Sequence, residues 1–112
     1  MKLDDQNFFF LGKESILKGD IELYGPAHIC GNLNGNIKIK DKFKLTIEPT
    51  AKVEGTINGH DIDIYGEVHG DVLCEGTLRI FPSSTIHGKI NARSLVIKPG
   101  AVINITGHTL EK

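Results

Sequence analysis

The chain has 112 residues, about the length of one domain, and 13 of them are glycines spread along the whole sequence. A hydrophobic content of 39% is sufficient for a folded core, and interior glycines on this scale disfavour a helical bundle. With 13 basic and 14 acidic residues the net charge is −1, so we expect no nucleic-acid partner.

The N-terminal segment, residues 1–11, is predicted to be a short tail and cap. Its charges are mostly acidic and its apolar run spans only residues 8–11, which is too short for a signal peptide. No stretch of the chain approaches the roughly 18 apolar residues of a membrane span. The cysteines, Cys30 and Cys74, lie far apart and match no metal spacing, which indicates reduced thiols. These features predict a cytoplasmic protein.

Two short phrases repeat after this segment. The first is an apolar residue, any residue, Gly, any residue and an apolar residue, and its copies begin at Leu17, Leu33, Val53, Val68 and Ile86, with a degenerate sixth at Val102. The second alternates apolar, any and apolar residues, and its copies begin at Ala27, Leu45, Ile62, Leu78 and Leu95. Both phrases have a mean period of 17 residues, which indicates a repeat architecture.

The period-2 alternation inside each repeat predicts short β-strands separated by bends at Gly or Pro. A single strand cannot bury its apolar face, but equivalent strands of successive repeats can stack around a shared core. The predicted fold is therefore all-β: a single-stranded, right-handed parallel β-helix with three faces and about six turns of about 17 residues. We expect this domain to span residues 12–107, followed by a short C-terminal tail at residues 108–112.

The outward positions of such a coil predict few chemical sites. His69 and His87 would be neighbours in adjacent turns, but no third ligand is expected at their level, so we predict no metal site. We also predict no catalytic residue and no cofactor, although a trimeric β-helix acyltransferase-like enzyme using His69 or His87 as a base is an alternative. Tyr65 and Phe81 would form an exposed pair, which is a candidate lateral contact between copies of the protein. The same pair would be the contact surface if the protein were an adaptor that binds another protein without polymerising.

The two ends of the coil are poorly capped in the sequence. The residues that we expect at the N-terminal end are apolar: Phe8, Phe9, Phe10 and Leu11. Those that we expect at the C-terminal end are Val102, Ile103 and Ile105. An uncapped repeat exposes unpaired strands and an open core. We therefore expect each end to bind another copy of the protein, which would produce a filament. Phe8, Phe9 and Phe10 are also the candidate contact with a membrane surface.

The order of these phrases resembles that of the bactofilins. The resemblance covers residues 12–107 and rests on the phrases at residues 17–21, 29–37, 64–72 and 95–102. It implies a bacterial cytoskeletal protein that polymerises without nucleotide into non-polar filaments through head-to-head and tail-to-tail contacts. The implied partners are the protein itself and cell-wall or polarity proteins, and the implied location is the cytoplasm, often peripheral at the inner membrane. Ile103 takes the place of a terminal Phe that supports polymerisation in the family.

Overall fold

The computed structural model describes residues 9–110, and the side chains of residues 9–103. This part of the chain contains strands, bends and turns but no helix. The strands are, in chain order, β1 (Phe9–Leu11), β2 (Ile16–Lys18), β3 (Ile21–Leu23), β4 (Ala27–Ile29), β5 (Asn32–Ile39), β6 (Lys44–Ile47), β7 (Lys52–Ile64), β8 (Glu67–Ile80), β9 (Thr85–Ile97) and β10 (Val102–Leu110).

Every pairing among these strands is parallel and joins a segment to its equivalent one turn later. Face 1 consists of residues 9–11, 27–29, 45–47, 62–64, 78–80 and 95–97. Face 2 consists of residues 16–18, 32–34, 52–54, 67–69, 85–87 and 102–104. Face 3 consists of residues 21–23, 37–39, 57–59, 72–74, 90–92 and 108–110. The predicted all-β, parallel coil of six turns is confirmed.

The core lies along the axis of the solenoid and is built from the inward positions of each turn. On face 2, for example, Leu33, Val53 and Val68 stack directly on one another and are at most 1% exposed. The buried cluster extends from Ala27 to Ala92, so it fills the middle turns and stops before each end. Because strand residues alternate between the two sides of a sheet, the period-2 pattern of the sequence creates this core.

The corner between faces 2 and 3 is a column of glycines. Gly19, Gly35, Gly55, Gly70 and Gly88 all have a positive φ, between 122° and 149°. A Cβ at Gly55 would overlap the carbonyl oxygen of Gly35, and the same conflict recurs at the next glycines along the column. Glycine is required here because consecutive turns approach closely through a backbone conformation that other residues avoid.

The last turn corrects one detail of the sequence prediction. Ile103, not Val102, pairs with Ile86 and takes the inward position, so the sixth copy begins one residue later than expected. Ile105 rather than Asn104 is then aligned with Gly88, and the register shifts between Ile105 and Gly107. Ile105 has a Cβ and does not fit the glycine column as Gly88 does. This misfit explains the bulge, in which residue 106 has no partner in β9.

Candidate functional site

The N-terminal end of the solenoid is an open section through its core. The inward side chains of the first turn pack against the buried cluster but remain only partly buried: Phe9, Leu11, Leu17, Ile21 and Leu23. Within the described residues, β1, β2 and β3 each pair with one neighbouring strand only, on the side of the second turn. The end therefore combines apolar side chains with a free strand edge, and a surface of this kind favours association with another chain.

The C-terminal end has the same construction with smaller side chains. Leu95, Ala101 and Ile103 pack partly buried against the core, and Ile97, at an inward position, is 49% exposed. In the described residues β10 pairs with β9 alone, so its other edge faces the end of the solenoid. Among the described residues, nothing covers either end, so both can receive a further apolar layer.

Exposed apolar side chains are concentrated in these terminal turns. Of the seven large hydrophobic residues that are strongly exposed in the described part, six lie in the first or last turn: Phe10, Ile16, Tyr24, Val96, Ile97 and Val102. Leu73 is the exception, at 38% exposure in a middle turn. Clusters of exposed apolar surface mark contacts with other molecules, so the contacts of this protein are expected in its terminal turns, at the ends and on the sides next to them.

The side of the solenoid is ionic by contrast. On face 1 the carboxylate of Asp63, a residue only 5% exposed, lies 3.0 Å from the Lys44 Nζ. The Arg79 Nη1 donates to Asp63 at 3.0 Å and to Asp61 at 2.8 Å. Because these carboxylates stabilise the charged forms, the pKa values of Lys44 and Arg79 are raised. The network holds face 1 together and presents charge, not apolar area, to its surroundings.

Two pairs of rings that the sequence places in adjacent turns are stacked. The rings of Tyr65 and Phe81 have centroids 4.2 Å apart and an interplanar angle of 12°. The imidazoles of His69 and His87 have centroids 4.8 Å apart and an interplanar angle of 10°. The His69 Nε2 also lies 2.5 Å from the Glu67 Oε2, and this hydrogen bond lowers the pKa of Glu67.

An open concavity of about 770 Å³ lies at the corner between faces 3 and 1, where His60, Glu75 and Arg93 contribute to its lining. Cys74 borders it but is buried, and its thiol donates to the His60 carbonyl oxygen at 3.2 Å. Burial raises the pKa of this thiol, which keeps it protonated and poorly nucleophilic. Within the described residues, no group of three or more His, Cys, Asp or Glu side chains is arranged to hold a metal ion.

The predicted end residues divide into three groups. Phe9, Leu11 and Ile103 belong to the open ends, whereas Phe10 and Val102 are largely exposed on the side of the terminal turns. Phe8 and the side chain of Ile105 lie outside the described part. The sequence prediction missed six further end residues because it followed consecutive apolar runs and not the inward positions of a whole turn: Leu17, Ile21, Leu23, Leu95, Ile97 and Ala101.

Known proteins resemble the chain over almost its full length. A family model described as "Bactofilin: Polymer-forming cytoskeletal" matches residues 9–107. Bactofilin BacO of Myxococcus xanthus (strain DK1622) is 25% identical over 91 residues, a match that covers 81% of this chain and 71% of BacO. No solved structure matches. Among the described residues, no helix is both long and apolar enough to cross a membrane.

Proposed function

This chain belongs to the bactofilin family of polymer-forming cytoskeletal proteins, and from this premise we propose that it assembles end to end into filaments without nucleotide. The observation that carries the proposal is the open core at both ends. Phe9, Leu17 and Ile103 pack against the buried cluster on one side only. A second copy at each end would remove this apolar surface from water and pair the free strand edges.

We propose that each end binds its like, which makes the filament non-polar. The N-terminal end is rich in large side chains, such as Phe9 and Leu23, and the C-terminal end is built from Leu95, Ala101 and Ile103. Two isologous contacts per subunit, head to head and tail to tail, alternate along the polymer, and because they lie at opposite ends of the solenoid they extend it into a filament. Family resemblance supports this arrangement over a head-to-tail polymer.

In the cell, the proposed filament is a cytoplasmic scaffold. It would organise cell-shape, cell-wall or polarity machinery, with proteins of those systems as partners. Contact with the inner membrane is a further proposal, and Phe10, 58% exposed at the rim of the N-terminal end, is the described residue best placed for it. Phe8, which lies outside the described residues, belongs to the same predicted contact, whereas Phe9 packs against the core in the open end.

Electron microscopy of the purified protein tests the proposal. Filaments at high micromolar concentration, formed without added nucleotide, are the expected result. Light scattering gives an independent measurement because a polymer has a variable mass and a closed trimer has a fixed one. A fixed trimeric mass would favour the acyltransferase-like alternative with its His69 or His87 base. Monomers alone would favour an adaptor that uses the stack of Tyr65 on Phe81.

A further inference from the structure

Face 2 carries a pattern of outward side chains that is complementary to itself. The pattern has two columns, which flank the buried inward residues of the face. In chain order the first column contains Ile16, Asn32, Lys52, Glu67, Thr85 and Val102. The second contains Lys18, Asn34, Glu54, His69 and His87. We propose that face 2 docks on face 2 of a second copy in a neighbouring filament, with the two solenoid axes antiparallel. The inference rests on the proposed filament.

Charge complementarity at the middle of the face is the first argument. The Lys52 Nζ lies 3.5 Å from the Glu54 Oε2 in the third turn, and Glu67 is bonded to His69 in the fourth. All four side chains are at least 36% exposed. A two-fold axis perpendicular to the solenoid axes places the third turn against the fourth turn of the second copy. Lys52 then faces Glu67, and Glu54 faces His69, so each charged group meets a partner that complements it.

The terminal turns select the antiparallel orientation. The same axis places the first turn against the sixth, so Ile16, 65% exposed, meets Val102, 53% exposed. In a parallel arrangement the two columns exchange places, and Ile16 would face Lys18 while Val102 would face the Asn104 position. Only the antiparallel arrangement buries apolar side chains against each other at both ends of the face.

The surface shape of face 2 agrees with the antiparallel orientation. A shallow concavity of about 240 Å³ covers the first three turns, and Asn34 and Glu54 contribute to its lining. The stacked rings of His69 and His87 stand in the fourth and fifth turns. Antiparallel docking places His87 opposite Asn34 and His69 opposite Glu54, so the ring stack of each copy meets the concavity of the other.

The other two faces lack the charge complementarity at their centre, although face 1 also carries exposed apolar side chains, Phe10 and Val96, in its first and sixth turns. On face 1 the central carboxylate, Asp63, is buried between Lys44 and Arg79 and is not accessible to a second copy, whereas the paired side chains of face 2 remain at least 36% exposed. On face 3 the same rotation brings Asn58 opposite Leu73, which would cover an apolar side chain with an amide. Face 2 is therefore the face that fits a second copy.

The size of the contact predicts when it forms. Six stacked strands of three residues cover about 29 Å by 10 Å, or about 300 Å² per copy. A stable pair of proteins buries about 800 Å² per partner, so a single contact of this size is weak. In the proposed docking, successive subunits present face 2 on the same side of the filament, so that the contact repeats along it, and a non-polar filament presents both orientations of the face. Lateral association is thus expected of filaments and not of isolated subunits.

Two charge reversals and their mixture test the docking directly. In Lys52→Glu, two carboxylates face each other across the contact, and in Glu67→Lys, two ammonium groups do. Each variant alone should form single filaments that sediment at high speed, with about tenfold less protein than wild type in the low-speed pellet that collects bundles. Mixing preformed filaments of the two variants should restore bundles because every facing pair becomes opposite in charge. Lys38→Glu, the same charge change on face 3, is the control and should form bundles like wild type.

The outcomes separate this inference from the proposed function. Wild-type filaments that never associate laterally, single variants that bundle normally, or a mixture that stays unbundled would each overturn the proposed antiparallel docking of face 2 while leaving end-to-end assembly intact. A mixture that fails to bundle is also what a parallel arrangement predicts, since position 52 would then face Glu54. Absence of filaments from every sample would refute the proposed function itself, and the docking with it.

Discussion

Replacing Gly55 with alanine tests why the solenoid turns its corner with glycine. The substitution combines two costs: a φ of 141° and a Cβ that overlaps the Gly35 carbonyl oxygen. The backbone conformation alone costs about 1–2 kcal/mol with an L side chain. Opening the stacked corner leaves at least one backbone group unsatisfied, which costs about 1–3 kcal/mol more. We therefore expect Gly55→Ala to lose about 2–5 kcal/mol of the free energy of unfolding.

Two other glycines separate these costs. Gly19 has a φ of 122°, but a Cβ at this position would have no neighbour within 4 Å. Gly19→Ala should therefore lower the free energy of unfolding only by the cost of the backbone conformation, about 1–2 kcal/mol. A Cβ at Gly59 would make ordinary contact with the Ile62 side chain at 3.5 Å. Because its backbone is not in the left-handed region, Gly59→Ala should change stability by less than about 1 kcal/mol.

Denaturant unfolding followed by far-ultraviolet circular dichroism measures this series. All variants should be compared at one low protein concentration because association would stabilise the folded state. The expected order of stability is Gly59→Ala, Gly19→Ala and then Gly55→Ala. Equal losses for Gly19→Ala and Gly55→Ala would refute the close approach of consecutive turns as the reason for the glycine column.

Two further predictions concern the ionic sides of the solenoid. Arg79→Met should lower the free energy of unfolding, measured by thermal unfolding, by about 1–3 kcal/mol because it removes two hydrogen bonds from the carboxylates of Asp61 and the buried Asp63. A smaller loss would mean that Lys44 alone satisfies the carboxylate of Asp63. The pKa of Glu67 is lowered by His69, so this carboxylate stabilises the fold above its ordinary value of 4.5 and loses that contribution as the pH falls. The stability difference between wild type and Glu67→Gln should therefore shrink on acidification, and a difference that grows would contradict the assigned hydrogen bond.

The solenoid was predictable because its physical cause is local. Alternating residues such as Ile62 and Ile64 mark the strands, and the recurring glycines mark the tightest corner. The frame of the last turn was not predictable in this way, since Val102, Ile103 and Ile105 are all apolar and each fits an inward position. Stacking over Ile86 decides between them, and that is a contact between turns.

The composition of the ends was only partly predictable for a similar reason. An open end is a cross-section of the coil, so it collects the inward residues of three strands, such as Leu11, Leu17 and Leu23, and not a continuous run. Side-chain networks were beyond prediction. Lys44, Asp63 and Arg79 come from three different turns, and their bonding depends on rotamers that a repeat pattern does not specify.

The mass of an end-blocked variant tests end-to-end assembly most directly. Ile103→Arg places a charge in the apolar C-terminal end, and Asn91→Arg, the same added charge on the exposed side of face 3, is its control. By light scattering, we expect Ile103→Arg to stop at dimers joined through their N-terminal ends, Asn91→Arg to form filaments, and the Ile103→Arg/Phe9→Arg double variant to remain a folded monomer. Filaments of normal length from Ile103→Arg would contradict this account.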